Sequence, residues 1–545
     1  MTEVAATLPP RADAPAPPRV LVRERIADAG IELLRSRFDV DVDFDSDLEE
    51  RIGDYDALIV RSATQVTREL LERADRLKVI GRAGVGVDNV DLDAASERGI
   101  IVANAPQSTV VSAAEHTLGL LLALSRNIPQ AHAQLKQGKW ERARFAGLEL
   151  AGKTLGLAGF GRIGQQVARR ANGLEMRVVA HDPYVAPSRF RDLGVEQAAS
   201  LEELLVLSDF LSLHMTLTPD TRGAIGRAQL EGAKEGLRLV NVARGELVDE
   251  DALLEALRSG RVAGAALDVF SVEPYSGPLL ELENVIVTPH LGASTAEAQD
   301  RAGVIVAEQV AAALEGGLVT NAVNMPAVSA EDLEHLRAFL PLAAALGALA
   351  VELAGGSPAR LELTYGGALA ERDTRLLTVA ALNGAFKGRV EQPVNYVNAP
   401  LVARERGLEV HETSTTESPD YTSVVSVTAH GDGEPVSVAG TTIGREQRPQ
   451  LVRALGYEIE VELDRLMLFA VNDDTPGMIG RLGLLLGEAG VNIANMAVSR
   501  NRREARALMA LSIDSSPSDE VLERLREEPG FVDARLVVLP SVVDG

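Results

Sequence analysis

The segment AGKTLGLAGFGRIGQQVARRANGLEMRVVAHDPY, residues 151–184, decides the fold of this chain. Its apolar start predicts a strand, the glycine-rich turn GFGRIG follows, and a helix and a second strand complete the unit. Gly159 permits a tight bend, Gly161 lets the backbone approach a phosphate group, and Gly164 lets helix and strand pack closely. A strand, such a turn and a helix in this order predict a dinucleotide-binding unit.

The acidic residue after the second strand of this unit indicates which dinucleotide binds. Asp182 directly follows the strand RVVAH. A carboxylate at this position accepts hydrogen bonds from the adenosine ribose hydroxyls and repels a 2′-phosphate, so NAD is predicted rather than NADP. Arg162 and Ile163, at the start of the helix, complete the predicted phosphate-binding turn, because the N-terminus of a helix offers free N–H groups to anions.

Length and composition bound the class of protein. The 545 residues exceed one hydrophobic core, so several domains are expected. With 54 Lys and Arg against 79 Asp and Glu, the net charge is −25, which opposes nucleic acid as a partner. The chain has no cysteine, which excludes disulfides and Cys-ligated zinc; no metal site is predicted, and a cytoplasmic location is expected.

Two further features concern targeting. Residues 1–18 alternate Ala and Pro without the apolar core of a secretion signal, and we expect a disordered tail. The longest apolar run, residues 339–351, is shorter than the ~20 residues that a membrane span needs. No membrane partner is therefore predicted.

Strand and helix signals alternate on both sides of residues 151–184, which predicts parallel sheets covered by helices. The predicted fold is α/β: a Rossmann-type nucleotide-binding domain inserted into a flavodoxin-like substrate domain, then an α/β intervening domain and a ferredoxin-like βαββαβ domain. Residues 411–420 look like a loop. The predicted limits are 1–18 for the tail, 19–107 plus 296–320 for the substrate domain, 108–295 for the nucleotide-binding domain, 325–462 for the intervening domain and 463–545 for the last domain.

Three segments of the inserted domain place polar side chains at or just after the ends of predicted strands. They are NVARGELVDEDAL with Arg244, LDVFSVEP with Asp268 and Glu273, and NVIVTPHLGAST with His290. Ligands of doubly wound sheets bind at this edge. Oxidising a secondary alcohol requires a base for the hydroxyl proton, which a neutral imidazole supplies, and a guanidinium fork suits a substrate carboxylate.

These segments, together with GRAGVGVDNVD at 81–91 and the turn GFGRIG, resemble the D-2-hydroxyacid dehydrogenase family. The resemblance implies that Arg244, Glu273 and His290 are catalytic, with Glu273 orienting the imidazole of His290. It also implies that Asp268 accepts a hydrogen bond from the nicotinamide amide. Further cofactor contacts are implied at His214, Val242, Ala243, Gly292 and Ala293.

VRSAT at 60–64, WERARF at 140–145 and the long C-terminal extension narrow the resemblance to the branch that oxidises 3-phosphoglycerate with NAD as the first step of serine synthesis. Its substrate is a phosphorylated 2-hydroxy acid, and Arg61 matches a phosphate-facing arginine. A residue of WERARF, Arg142 or Arg144, is implied to reach the site of a neighbouring subunit. Further predicted substrate contacts are Arg82, Gly84, Val85, Gly86 and Asn104.

The final βαββαβ unit resembles an ACT domain, which binds amino acids at a subunit interface. Asn472, Asp474 and Asn492 match its effector contacts, and serine is the expected effector of a homo-oligomer, with a tetramer expected. Two other functions stay open at this point. One is a glyoxylate or hydroxypyruvate reductase, which Arg61 and the extension oppose. The other is a non-catalytic NAD-binding sensor, which the complete Arg244, Glu273 and His290 set opposes.

Overall fold

The computed structural model describes residues 16–391, 393–418, 420–431, 433–501 and 505–540. Most of the predicted disordered tail, residues 1–18, therefore lies outside the described residues. The described parts of the chain build four β-sheets with helices packed around them. Within those parts, no helix is both long enough and apolar enough to cross a membrane.

The first sheet is entirely parallel and flanked by short helices. Its elements are β1 (Arg19–Val22), α1 (Asp28–Arg35), β2 (Asp39–Val42), α2 (Leu48–Arg51), β3 (Ala57–Val60), α3 (Arg68–Glu72), β4 (Val79–Arg82), α4 (Leu92–Glu97) and β5 (Ile101–Asn104). The strand order β2-β1-β3-β4-β5 is the flavodoxin-like order that the sequence predicts. The edge strand β2 was not predicted, since its sequence DVDV alternates acids with valines that stay partly exposed.

The second sheet is built by the inserted segment. Its elements are α5 (Val110–Arg126), α6 (Ile128–Lys136), β6 (Thr154–Ala158), α7 (Arg162–Gly173), β7 (Arg177–His181), α8 (Pro187–Asp192), β8 (Glu196–Gln197), α9 (Leu201–Leu207), β9 (Phe210–Leu213), α10 (Arg227–Gly232), β10 (Leu237–Asn241), α11 (Glu250–Arg258), β11 (Val262–Leu267) and β12 (Val285–Val287). The order β12-β11-β10-β9-β6-β7-β8 is that of a Rossmann sheet. The strand order reverses beside β6, the strand that leads into the GFGRIG turn.

After the second sheet, the chain returns to the first one through α12 (Ala296–Leu314). A Cβ atom added to Gly30 in α1 would stand 2.7 Å from the carbonyl oxygen of Gly303, so α1 and α12 cross with their backbones almost touching. Val306 and Val310 of the same helix fill the space above Gly81 in β4. The second sheet is therefore inserted into the first unit, as predicted.

The third sheet is mixed and covered by apolar helices. Its elements are α13 (Ala330–Leu336), α14 (Phe339–Leu353), β13 (Arg360–Gly367), α15 (Arg375–Phe386), α16 (Ala399–Glu405), β14 (Glu409–Thr415), β15 (Ser423–His430), β16 (Val436–Ile443), β17 (Arg448–Ala454) and β18 (Tyr457–Glu462). The strand order is β14-β13-β15-β16-β17-β18. Helices α14 and α15 pack closely because Gly347 and Gly384 leave room for the backbone of the facing helix.

The prediction of a loop at residues 411–420 is wrong for its first half. Residues 409–415 form β14, which pairs in parallel with β13 at the edge of the sheet. Most of its side chains are exposed, so the strand has no run of apolar residues to reveal it. An edge strand with one solvated side needs no such run, which is why the sequence pattern missed it.

The last sheet is antiparallel and belongs to a βαββαβ unit. Its elements are β19 (Leu466–Asp473), α17 (Met478–Glu488), β20 (Ile493–Asn501), β21 (Arg506–Ile513), α18 (Asp519–Glu527) and β22 (Phe531–Val538). The order β20-β21-β19-β22 is the ferredoxin-like order. The predicted fold class is thus confirmed, while the exact domain limits stay predictions.

Candidate active site

The turn between β6 and α7 has the backbone geometry that a dinucleotide requires. Gly159 has a φ of 98°, and a Cβ atom there would stand 2.6 Å from the carbonyl group of His214. A Cβ on Gly164 would meet the carbonyl oxygen of Gly159 at 2.5 Å, so helix and turn touch. By contrast, a Cβ on Gly161 would meet no atom within 4 Å. The open space therefore lies at the helix N-terminus, where a pyrophosphate is expected.

Groups around the turn fit the rest of the cofactor. Asp182 accepts hydrogen bonds from the amides of Phe160 (2.8 Å) and Tyr184 (2.9 Å), which holds its carboxylate beside the turn. His214 bonds to the hydroxyl of Ser212 at 3.0 Å, and burial lowers its pKa to about 4, so the ring is neutral at pH 7. Arg162 lies exposed and Ile163 half-buried at the start of α7. The residues present therefore fit NAD.

At the carboxyl edge of the second sheet, Glu273 and His290 are in direct contact. The Nδ1 atom of His290 lies 2.8 Å from Oε2 of Glu273. The second carboxylate oxygen of Glu273 accepts from the amide of Phe270 at 3.1 Å, which orients the carboxylate. Both side chains remain partly exposed. The ring of His290 thus has one nitrogen tied to an acid and leaves Nε2 for another partner.

Asp268 lies beneath this pair and is fully buried. Its carboxylate accepts from the amides of Leu291 (2.7 Å) and Gly292 (2.8 Å) and from the hydroxyl of Thr288 (2.5 Å). Burial by itself raises the pKa of Asp268, but these bonds and one from His116 outweigh it, and the pKa is lowered. The carboxylate therefore ties down the loop that carries His290, and the predicted contact with the nicotinamide amide stays a prediction.

Arg244 points from the second sheet towards the first unit. Its Nη1 donates to the carbonyl of Ala243 at 2.8 Å, and its Nη2 lies 3.7 Å from the carboxylate of Asp88. A Cβ atom on Gly86 would stand 2.6 Å from that Nη2, so Gly86 makes room for the guanidinium. The predicted cofactor contacts come from two segments: Val242 packs beside Gly292, where a Cβ would meet it at 2.8 Å, and Ala293 is exposed.

The glycine turn after β4 is held open opposite Arg244. Asn104 donates to the carbonyl of Val85 at 2.6 Å, and the amide of Ala105 donates to the carbonyl of Gly84 at 2.8 Å. The guanidinium of Arg82 lies against the same turn, and its buried Nε has no hydrogen-bond partner. Burial lowers the pKa of Arg82, the direction expected for a cation without a partner.

Arg61 lines a neighbouring cavity of about 510 Å³, together with Arg23 and Arg25. The loop that begins at Arg61 is held by Glu24, whose carboxylate accepts from the backbone amides of Arg61 (2.9 Å) and Thr64 (3.0 Å). Burial raises the pKa of Glu24, but these amide bonds outweigh it and the pKa is lowered. The sequence interpretation did not include Glu24, because a lone acid after a strand carries no motif.

The two arginines of WERARF differ in their contacts. Arg144 donates from Nη2 to both carboxylate oxygens of Glu283, at 2.5 and 2.6 Å, and from Nη1 to Glu141. Arg142 is exposed. Of the two, Arg142 is the one whose guanidinium is not already held by the carboxylate of Glu283.

The predicted effector residues do not come together in one chain. Asn472 and Asp474 lie at the carboxyl end of β19, where Asp474 contacts Arg500 at 3.3 Å. Asn492 precedes β20 and donates to Asp514 at 2.8 Å. Because β19 and β20 are both antiparallel to β21, they run in the same direction, and Asn492 lies at the opposite end of the sheet.

The sequence interpretation missed one histidine near the site. His116 of α5 approaches Asp268 and Thr288, at 3.2 and 3.1 Å. The available signal was a titratable ring in a mostly apolar helix, one turn after the buried Ser112.

Three family models match the chain. Residues 118–292 match the D-isomer specific 2-hydroxyacid dehydrogenase NAD binding domain, residues 335–454 the D-3-phosphoglycerate dehydrogenase intervening domain and residues 467–530 the ACT domain. The fold and these matches define an NAD-dependent oxidoreductase of the D-2-hydroxyacid dehydrogenase class.

Curated relatives narrow the class. D-3-phosphoglycerate dehydrogenase of Methanocaldococcus jannaschii is 44% identical over 96% of this chain and 100% of its own length. The enzyme of the same name from Mycobacterium tuberculosis is 44% identical over 92% of this chain and 96% of its own length. The chain belongs to the D-3-phosphoglycerate dehydrogenase family.

Solved structures resemble part of the chain. The TT0316 protein of Thermus thermophilus is 40% identical, with a TM-score of 0.52, and the match covers 56% of this chain and 99% of that one. A glyoxylate reductase from Paecilomyes thermophila is 32% identical, with a TM-score of 0.52 over 57% of this chain and 99% of its own. These likenesses span little more than half of the chain.

Proposed function

We propose that the chain oxidises 3-phospho-D-glycerate to 3-phosphohydroxypyruvate with NAD, the first step of the phosphorylated route to L-serine. Two observations carry the proposal: Arg244 meets the glycine turn against which Arg82 also lies, and Glu273 contacts His290. In a chain of net charge −25, such cations give a substrate with a carboxylate and a phosphate a local binding site.

The side chains divide the chemistry of this oxidation between them. The Arg244 fork binds the substrate carboxylate and polarises the oxygen on the reacting carbon. His290 takes the hydroxyl proton at Nε2 and returns it in the reverse reaction, while Glu273 holds Nδ1 and fixes the tautomer. NAD, when bound at the GFGRIG turn, supplies the hydride acceptor.

The phosphate end of the substrate is assigned to the first unit. Arg61 lines an open cavity there, and Arg82 offers a guanidinium whose Nε lacks a partner. Asn104 holds the carbonyl of Val85, and the amide of Gly84 donates to the carbonyl of Arg82 at 2.8 Å, so the amides of Val85 and Gly86 serve the carboxylate side. Since Arg144 is paired with Glu283, we assign the residue that reaches a neighbouring subunit's site to Arg142.

A homo-oligomer, with a tetramer expected, accounts for the exposed apolar side chains of the α5–α6 region. They are Val111, Leu122, Ile128, Leu135 and Trp140, of which Trp140 is 81% exposed. A surface of this kind is typical of an interface between subunits. It lies next to Arg142, so association would bring that arginine towards another chain. The cytoplasmic location stays a prediction.

We further propose that serine binds between two ACT domains and shifts the enzyme between active and less active arrangements. Asn472 and Asp474 of one chain and Asn492 of another would form the site, because one chain holds them at opposite ends of its sheet. The α-ammonium group of serine suits Asp474, and the asparagine amides suit its carboxylate or hydroxyl group.

The test is the rate of NADH consumption with 3-phosphohydroxypyruvate and with hydroxypyruvate, each with and without serine. We expect kcat/KM to favour the phosphorylated substrate by about 10²-fold or more, as a charged phosphate bound by arginines implies. Arg61→Ala should remove most of that preference while sparing kcat with hydroxypyruvate. Equal kcat/KM values in the wild type would support a hydroxypyruvate reductase, and no turnover of either would support a sensor.

A further inference from the structure

Helix α5 touches the loop that carries His290 at two points. The Nε2 atom of His116 lies 3.2 Å from Oδ1 of Asp268 and 3.1 Å from Oγ1 of Thr288. One turn earlier, the hydroxyl of Ser112 lies 2.8 Å from that of Thr295. Residues four apart share one face of a helix, so a single face of α5 spans residues 288–295.

Asp268 transmits this contact to His290. Its carboxylate binds the amides of Leu291 and Gly292, which directly follow His290, and its backbone carbonyl accepts from the amide of His290 at 2.8 Å. The hydroxyl of Thr288 donates to the same carboxylate oxygen that His116 approaches. The backbone on both sides of His290 is therefore held by Asp268, and Asp268 is held by His116.

The conformation of His290 explains why such a hold is needed. Its φ is 55°, a left-handed conformation that residues with a Cβ atom rarely adopt without constraint from their surroundings. A loop free to relax would turn the imidazole away from Glu273 and from the cofactor side. Displacing a catalytic group by about 1 Å lowers the rate of reaction, so the hydrogen bonds that fix this loop should affect kcat.

We propose that His116 is a positioning residue for His290, an inference that rests on the proposed dehydrogenase function. Its Nε2–H group donates to the carboxylate of Asp268 and to the hydroxyl of Thr288, and it thereby fixes the loop of residues 288–292. In this role the ring acts through Asp268 and Thr288. The charge of Asp268 requires the hydrogen on Nε2, since a ring nitrogen without one would face the carboxylate lone pairs.

The test compares two substitutions with a matched control in the full-length enzyme. His116→Leu removes the donor, His116→Gln keeps an N–H group at similar reach, and His335→Leu alters an exposed histidine of α13. We expect His116→Leu to lower kcat about tenfold or more with substrate KM and NADH Kd changed less than about twofold. His116→Gln should recover most of the loss, and His335→Leu should match the wild type.

A second readout does not depend on activity. Amide hydrogen exchange at Leu291 and Gly292 should be faster in His116→Leu than in the wild type and close to normal in His116→Gln, whether or not the enzyme turns over the expected substrate. Normal exchange and normal kcat in His116→Leu would overturn the inference. Faster exchange in an enzyme that oxidises no 2-hydroxy acid would overturn the proposed function. It would still support the inference that His116 fixes the loop of residues 288–292.

Discussion

The carboxyl edge of the second sheet and the ACT domain place their predicted site residues differently on their sheets. In the parallel second sheet, Arg244, Glu273 and His290 each follow a different strand at one edge of the sheet, where Glu273 and His290 are in contact. In the antiparallel ACT sheet, Asp474 follows β19 whereas Asn492 precedes β20, which runs in the same direction. Residues that follow neighbouring parallel strands lie at the same edge of the sheet. A residue that follows one strand and a residue that precedes another strand of the same direction lie at opposite edges.

The difference predicts that one chain can build the catalytic site, whereas the effector site requires two chains. The Glu273–His290 pair and Arg244 belong to one chain, so the proposed catalytic set would need a partner at most for Arg142. The proposed effector site would need two chains, whose ACT domains would lie side by side in opposite orientations. Substitutions at the proposed catalytic site should inactivate each chain independently of its neighbours. Substitutions at the proposed effector site should abolish the response to serine in a pair of chains.

The largest expected effect is at the catalytic edge. His290→Asn removes the base and acid of the reaction, and kcat should fall about 10³-fold with NADH affinity little changed, within the range measured for lost general acid–base groups. Glu273→Gln keeps a hydrogen-bonding side chain near Nδ1 and should cost less. Steady-state kinetics with NADH titrations measures both effects. A loss of kcat under tenfold for His290→Asn would show that another residue acts as the base.

A smaller effect is expected where Arg244 of the second sheet approaches the glycine turn of the first sheet. Gly86→Ala places a methyl group 2.6 Å from the Arg244 guanidinium, which must swing aside. We expect kcat/KM to fall about 10- to 100-fold while the melting temperature hardly changes, because only a flexible side-chain end is displaced. Gly173→Ala at the end of α7, where a Cβ meets no atom within 4 Å, is the control. Equal kinetics for both variants would separate Gly86 from the site.

The ACT site offers a test by complementation. Asp474→Ala and Asn492→Ala should each abolish the change in rate caused by serine. Hybrids of the two variants should recover part of that change, since one interface then joins an intact Asp474 to an intact Asn492. The measurement is a serine titration of separately purified and co-refolded enzymes. Recovery absent from every hybrid would show that a single chain supplies the effector contacts.

The smallest effect concerns acid stability of the nucleotide-binding unit. The pKa of His214 falls from 6.5 to about 4 on burial, so below pH 6.5 the unfolded chain takes up a proton that the folded chain refuses. Stability should therefore decrease between pH 6.5 and 4, by on the order of 2 kcal/mol from this group. His214→Gln should flatten that part of the curve in chemical unfolding experiments, whereas the exposed His132→Gln should keep the wild-type slope.

The sequence predicts much of this site because its strands are buried and apolar. Their ends are easy to locate, and Arg244 and His290 stand just beyond them. Edge strands β2 and β14 escaped the prediction, because their partly solvated side chains follow no apolar pattern. Their pairing depends on the neighbouring strands β1 and β13, and no pattern within the edge strands reveals it.

Long-range partners escaped the prediction for the same reason. Arg144 and Glu283 lie 139 residues apart, and His116 and Asp268 lie 152 apart. No local motif joins such residues. The sequence therefore indicates which side chains carry chemistry and leaves open which others hold them in place.

The most direct measurement is a crystal structure of the enzyme with NAD and 3-phospho-D-glycerate. The account predicts Nε2 of His290 within about 3.2 Å of the substrate hydroxyl, a hydrogen-bond distance. It also predicts the carboxylate on the Arg244 fork and the phosphate on Arg61 and Arg82. A substrate bound with its phosphate away from both arginines, or with His290 turned from the hydroxyl, would contradict it.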